Sequence, residues 1–492
     1  MANRALVAGV DSSTQSTKVE LREIDSGRLV DRTSAPHTHA CWEPPVSEQE
    51  PGTWWEALTA CFAQLTDANR SNVAAMSVAG QQHGLVLVDE DGTVLRPAKL
   101  WNDTTSAPQA RDLVARHSAE QWAERCGSVP LASFTIAKLA WVLEHEPELG
   151  DRIAQIMLPH DWITWRLTGA HVTDRGDASG TGWFDPARNE LADDLLGLAV
   201  GDPDNWLTRL PRVLAPDTAA GAITPDAAAA LGLPESVLVG PGTGDNMGAA
   251  LGLGLKPGDA VISLGTSGTA YSVSRTPTSD PSGAVAGFAD AAGGFLPLVC
   301  TLNATRVTDT VAQWLGVDAA GLAELALAAP SGPNPPILVP YFDGERTPDL
   351  PDATGLVAGL RNDTTREELA LAAHDGVLCG LFDGLDALRA AGVDVGGTLH
   401  LIGGGARSKA YRLRAATLHG ESVTVPDDDE TVAVGAAVQA AAVATNRHPA
   451  EVAAEWPLGR GEQVEPPSGI AGDEVRARYA ELRQRSFPLQ SD

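Results

Sequence analysis

Apolar residues fall in short runs along the first part of the chain, and each run is closed by small polar residues. Residues 5–10 read Ala-Leu-Val-Ala-Gly-Val and stop at Asp11-Ser12-Ser13-Thr14. Runs at 17–24 and 28–35 follow, joined through Asp25-Ser26-Gly27. This pattern predicts three short strands, with a hairpin at the Asp-Ser-Gly turn. The period then changes. After Pro51, Trp54, Trp55, Leu58, Phe62 and Leu65 recur at helical spacing, which predicts an amphipathic helix. Residues 73–79 and 85–88 are strand-like again, with Gly80-Gln81-Gln82-His83-Gly84 between them and Asp91-Gly92 turning the second. The predicted order is β-β-β-α-β.

The second half repeats that grammar. Runs at 259–264 and 269–274 flank Gly265-Thr266-Ser267-Gly268. Thr365-x-x-Glu368 fits a capping box that opens a long helix towards Ala391. Residues 398–402 predict a strand feeding Gly403-Gly404-Gly405, followed by a helix, a strand at 422–425 and an alanine-rich helix from Thr431. Glycine and proline are dense at 240–258, which places the expected division there: residues 1–245 as an N-terminal domain and 246–492 as a C-terminal one. The proline-rich segment 330–336 is expected to be an internal loop.

Composition removes several classes. With 35 Lys and Arg against 64 Asp and Glu, the net charge of −29 lacks the basic face that nucleic acid requires. No run reaches the ~18 apolar residues of a membrane span, and Met1-Ala2-Asn3-Arg4 leads straight into a strand, so a cytoplasmic chain is expected. Five cysteines at 41, 61, 126, 300 and 379 include no C-x-x-C pair. That spacing suits a reduced chain better than a disulfide framework or a zinc site.

The turns carry the candidate chemistry. Hydroxyls and backbone N–H groups at Thr14 and at Gly265-Thr266 can hold phosphate oxygens, and Asp11, at a strand end, can orient water on a metal ion. Two ordinary hairpins would look the same. Gly404, Gly405 and Ser408 leave a strand for a helix, where a nucleotide can lie flat on backbone; a plain strand–helix turn fits too. Asp245 is the single carboxylate of a glycine-rich loop that opens a helix, and both an N-cap and a general base fit it. Gln82 and His83, with Trp101 and Asp103 of Leu100-Trp101-Asn102-Asp103, offer amide, imidazole and carboxylate groups suited to the hydroxyls of a sugar and an indole face for its C–H side.

Together the two turns, the third glycine-rich element and the doubled β-β-β-α-β order resemble the actin-like ATPase architecture. Ser133-Phe-Thr-Ile-Ala-Lys138-Leu-Ala-Trp141-Val-Leu-Glu144-His145 matches the first signature of the FGGY carbohydrate kinases at every specified position. Gly355-Leu-Val-Ala-Gly-Leu360, followed by Glu368-Leu-Ala-Leu-Ala-Ala-His374-Asp375, matches the second, with His374 where an apolar residue is usual. The chain therefore resembles that family over essentially its whole length.

The resemblance implies an α/β fold of duplicated actin-like ATPase (ribonuclease H-like) domains with an intervening catalytic cleft. It implies transfer of a phosphoryl group from ATP, with Mg2+, to a ketopentose, xylulose first; ribulose, gluconate and glycerol are the alternatives within the family, and a non-kinase actin-like ATPase the alternative outside it. Asp245 is implied as the general base, with its carboxyl near the usual ~3.9 and ionised at neutral pH. Gln82, His83, Asp103 and Asn246 are implied as sugar contacts, Thr14, Gly265, Thr266, Gly404, Gly405 and Ser408 as ATP contacts, and Asp11 as the magnesium-linked carboxylate, through water. The family usually has Asp-x-Gly-Thr where this chain has Ser13, which bears on how closely that turn approaches the γ-phosphate. The implied partners are small molecules, a ketose and ATP, with no nucleic acid and no membrane, and a homodimer is left open.

Overall fold

The computed structural model describes residues 5–38, 41–43, 45–330, 335–468 and 472–488. Residues 331–334 of the expected proline-rich loop lie outside these. The chain packs into two compact units: Met1–Leu255 with Arg275–Leu296 and Glu430–Leu458, and Lys256–Ser274 with Pro297–Asp429 and Gly459–Asp492. The first boundary, Leu255/Lys256, lies within the expected 240–258 stretch and just past the expected cut at 245/246, and the segments Arg275–Leu296 and Glu430–Leu458 then rejoin the first unit.

In the first unit the mixed sheet runs Leu29–Pro36, Ser16–Glu23, Leu6–Ser12, Val73–Gly80, Leu238–Val239, Gly221–Ala222. The first three strands are antiparallel neighbours, and Leu6–Ser12 pairs in parallel with Val73–Gly80. Leu6–Ser12 is buried at every position, which is why it reads as a continuous apolar run with no alternation. Helix Gly52–Gln64 buries Trp54, Ala57, Leu58, Cys61 and Phe62, with Trp55 only partly covered.

The alanine-rich helix Thr431–Thr445 is buried along most of its length. It packs against helix Asp245–Gly252 at contact too close for side chains. A Cβ on Gly252 or Gly435 would collide with the other helix's backbone. Small residues on both helices therefore fix where Asp245 emerges. Gln439, on the same alanine-rich helix, accepts from Ser77 Oγ at 2.5 Å and donates to Gly242 O at 3.0 Å, which also holds the loop before Asp245.

The second unit repeats the order. Its strands run Phe295–Thr301, Gly268–Ser272, Ala260–Leu264, Leu399–Ile402, Val423–Pro426, Gly461–Val464. Ala260–Leu264 is antiparallel to Gly268–Ser272 and parallel to Leu399–Ile402. The helix Arg366–Ala390 starts at the predicted capping box, Thr365 and Glu368 each satisfying the other's backbone N–H. The sequence pattern gave no sign of strand Phe295–Thr301. Pro297 interrupts it, and its pairing with Gly268–Ser272 uses only Leu298 to Thr301.

No single helix among the described residues is long and apolar enough to cross a membrane.

Candidate active site

In the first unit the structure brings Gln82, Asn246 and Asp245 together. Asn246 Nδ2 donates to Gln82 Oε1 and to Asp245 Oδ1, each at 2.8 Å, and the Asn246 backbone N–H donates to the same Asp245 oxygen at 2.7 Å. The N-cap of helix Asp245–Gly252 is Gly244, and no side chain caps this end. Asp245 is thus the first helical residue and not the N-cap. The expectation of an ordinary carboxyl is corrected as well: burial first, and then the negative charge of Asp11, raise Asp245 to about 7. Asp11, almost fully buried, is raised by burial to about 6, although it accepts from Ser13 Oγ at 2.6 Å.

Gln82 is 5% exposed, and its Nε2 has no hydrogen-bond partner among the described residues. The same holds for Gln81 Nε2. Buried amide donors are normally satisfied, so these two are free to donate to a ligand or to water. His83 takes a left-handed backbone conformation, φ 65°. Its Nδ1 lies 3.1 Å from Gly180 O, its ring stacks on Phe134 at 5.3 Å between centroids, and Phe288 lies at 5.5 Å. The carbonyl of His83 accepts from Lys138 Nζ at 2.8 Å and from Thr135 Oγ1 at 3.3 Å. The signature 133–145 thus pins the loop that presents Gln82 and His83.

Thr14 sits at the end of the first hairpin. Its hydroxyl donates to Gln81 Oε1 at 3.3 Å and accepts from Trp101 Nε1 at 3.1 Å. Asp103 is not brought to this group. It is fully buried, and its carboxylate takes bonds from Ser47 N, Lys99 Nζ, Thr105 N and the Thr105 hydroxyl. Lys99 in turn lies over the Trp141 ring, 3.8 Å from its centroid. Asp103 therefore anchors the loop that carries Trp101 and is left out of the sugar contacts proposed below.

In the second unit the remaining expected residues converge. Gly265 O accepts from Thr305 N at 3.0 Å and Thr305 Oγ1 at 2.9 Å, while Thr266 is exposed at the turn. Gly403 has φ 87°, and a Cβ there would strike the backbone of Leu264 at 2.7 Å. Gly405 packs on Leu264 as well. Both glycine-rich segments therefore meet at one strand end. A turn of 3-10 helix, Gly404–Arg407, intervenes before helix Lys409–His419. Around Gly404 no heavy atom lies within 4 Å of a Cβ position, and the buried Ser408 hydroxyl has no partner among the described residues. Open backbone beside an unsatisfied hydroxyl suits a flat, polar ligand.

The FGGY family of carbohydrate kinases matches this chain with its N-terminal domain over residues 6–252 and its C-terminal domain over 260–444. The chain belongs to the FGGY carbohydrate kinases. It is 48% identical over 464 residues to the xylulose kinase of Streptomyces coelicolor, covering 94% of this chain and 92% of that one. The xylulose kinase of Escherichia coli is 33% identical over 490 residues, 98% and 99% of the two chains. The crystal structure of the xylulose kinase from Bifidobacterium adolescentis aligns at TM-score 0.84 and 41% identity over 98% of this chain and 99% of that one. Plasmodium falciparum glycerol kinase shares the fold at TM-score 0.86 with 18% identity, covering 99% of each chain. As in that family, both units carry the duplicated actin-like ATPase fold, and the chain is a sugar kinase that uses ATP.

Phe134, Asp177 and Phe288 were not among the residues expected at the site. Phe134 lies inside the first signature, which was a usable signal. Phe288 and Asp177 reach His83 from 205 and 94 residues away, and no local pattern marks either of them.

Proposed function

We propose that this kinase transfers the γ-phosphoryl group of ATP to a primary hydroxyl of D-xylulose, giving D-xylulose 5-phosphate. The observation that carries the reading is the Gln82–Asn246–Asp245 link, which joins a sugar-type amide to an uncapped helical carboxylate in a member of the carbohydrate kinases. The xylulose kinases of two Streptomyces species, 48% and 46% identical over most of this chain, support the choice of sugar.

Asp245 takes the proton of the attacking hydroxyl. Asn246 holds the carboxylate in place, and Gln82 and His83 bind the other hydroxyls. Thr14, Gly265 and Thr266 supply donors to phosphate oxygens, and Gly404, Gly405 and Ser408 line the nucleotide. Catalysis of this kind rests mostly on positioning and charge neutralisation.

The residues present fit a magnesium ion. Mg2+ prefers oxygen ligands, retains water and needs only one or two protein carboxylates, and Asp11 and Asp245 are carboxylates whose charges oppose one another. Asp11 would hold the ion through water, and the bound ion would supply positive charge against the phosphates.

A coupled assay of ADP release across D-xylulose, D-ribulose, D-gluconate and glycerol tests the reading. We expect kcat/KM for D-xylulose to exceed the others by roughly tenfold or more, the scale that a few differential polar contacts provide. A better substrate elsewhere in the panel would move the assignment to that sugar. ATP turnover independent of any sugar would favour an ATPase.

A further inference from the structure

Behind the Gln82–His83 loop lies a charged cluster that neither the family signatures nor the proposed chemistry uses. His160, in helix Pro159–Thr168, is completely buried. Its Nε2 lies 3.3 Å from Asp161 Oδ1, 3.4 Å from Asp174 Oδ1 and 3.4 Å from Asp177 Oδ2, and all three carboxylates are buried. A buried charge persists only where it is paired. One imidazole nitrogen thus faces three carboxyl groups at 3.3–3.4 Å, without a well-aligned hydrogen bond to any of them.

Each of two carboxylates reaches onward to a different part of the candidate site. Asp177 Oδ1 accepts from the His83 backbone N–H at 3.4 Å. Asp174 Oδ2 accepts from Thr243 Oγ1 at 3.1 Å, two residues before Asp245. The strand Thr243–Gly244 pairs with Ala79 and Gly80, which lead into Gln82. Both loops also rest on the histidine. A Cβ on Gly80 would come to 3.1 Å from His160 Cβ, and a Cβ on Gly242 would collide with the His160 ring.

We propose that His160 is a positioning residue of the sugar half-site: its buried ring sets Asp177 and Asp174, and through them holds the His83 backbone and the Thr243–Asp245 segment in register. This inference rests on the sugar and base assignments above. The electrostatics agree with it. Burial pulls the imidazole down, but the charges of Asp161, Asp177 and Asp174 outweigh burial and raise it to about 9, so it is cationic at neutral pH. Burial, with the charges of Asp174, Asp161 and Asp245 added, holds Asp177 well above the usual carboxylate range even though the His160 charge works against that.

The test compares His160→Gln, which is neutral and of similar reach, with His160→Lys, which restores a cation. Each is assayed with the panel sugar that the wild type phosphorylates best, so an error in the choice of xylulose leaves the comparison intact. We expect His160→Gln to lose roughly tenfold or more in kcat/KM for the sugar, the scale of an unpaired buried charge. The KM for ATP should stay within about twofold, and His160→Lys should recover most of the loss. Adding Asp177→Asn to His160→Gln should also recover part of it, since the two are coupled. Equal damage in Gln and Lys variants, parallel rises in both KM values, or an undamaged Gln variant would each overturn the proposal. Should His160→Gln fail to fold, Thr243→Val and Thr243→Ser decide. The Val variant should lower kcat several-fold at unchanged KM for ATP while Ser retains it, and a Val variant with wild-type kcat would overturn the proposal.

Discussion

The Asn246 amide donates to Gln82 Oε1 at 2.8 Å across 164 residues of sequence, and the same nitrogen holds Asp245. The proposed sugar-binding amide and the proposed base are therefore parts of one hydrogen-bonded unit. Removing Asn246 should disturb both. For Asn246→Ala we expect roughly a tenfold rise in KM for xylulose together with a fall in kcat, from the loss of bonds to a charged and a neutral partner. The double variant Gln82→Ala/Asn246→Ala should be less damaged than the sum of the singles. Additive losses in steady-state kinetics would show that the link does no positioning.

His83 is held on three sides, by Gly180 O, Phe134 and Phe288. His83→Ala should raise the KM for xylulose and lower kcat with ATP affinity barely changed. It should also lower Tm, because a stacked ring is removed from a buried place. Calorimetric titration with each ligand checks this. Equal weakening of ATP and xylulose would indicate a folding defect and would remove His83 from the sugar site.

Thr266 and Ser408 separate nucleotide binding from stability. Thr266 is exposed, so Thr266→Val should leave Tm unchanged while costing roughly tenfold or more in kcat/KM for ATP, the value of a hydrogen bond to a charged group. The Ser408 hydroxyl is buried without a partner among the described residues. Ser408→Ala should hold or raise Tm in the free enzyme, since an unsatisfied group is removed, yet weaken ADP binding. Thermal melts with and without ADP decide, and an unchanged ADP-induced shift in both variants would make this turn a simple hairpin corner.

Asp245 is raised to about 7, by burial first and by Asp11 second. A base acts in its deprotonated form. Its raised value therefore places the loss of activity on the acid side: kcat/KM for xylulose should be level above about 8 and fall on the acid side of about 7, with the limb moving to lower pH as magnesium offsets the Asp11 charge. A profile level down to pH ~4.5, the limb of an ordinary carboxylate, would contradict the environment described here.

Much of the fold could be read from local pattern. The first hairpin, the Thr365 capping box and the alanine-rich helix are all encoded by neighbours in sequence, through turn residues, reciprocal caps and helix propensity. Strand Phe295–Thr301 was hidden by Pro297, and the return of Glu430–Leu458 to the first unit depends on packing against Gly248 and Gly252, which no local window contains. The site divides the same way. Gln82, His83 and Asn246 could be marked by residue type and resemblance. The anchoring role of Asp103 and the raised Asp245 arise from burial and from charges distant in sequence. No local pattern marks His160; only the fold brings Asp174 and Asp177 to it.

The central claim is that Asp245 removes the proton from the sugar hydroxyl. Asp245→Asn keeps the size of the side chain and most of its hydrogen bonding but cannot accept that proton. The measurement is single-turnover phosphorylation of D-xylulose by this variant, with binding of xylulose and ATP followed by calorimetry. The account predicts a fall of ~10²–10⁴-fold in the phosphorylation rate, the range for loss of a general base, with both dissociation constants close to wild type. Retention of more than about a tenth of the wild-type rate, against that expected range, would contradict it.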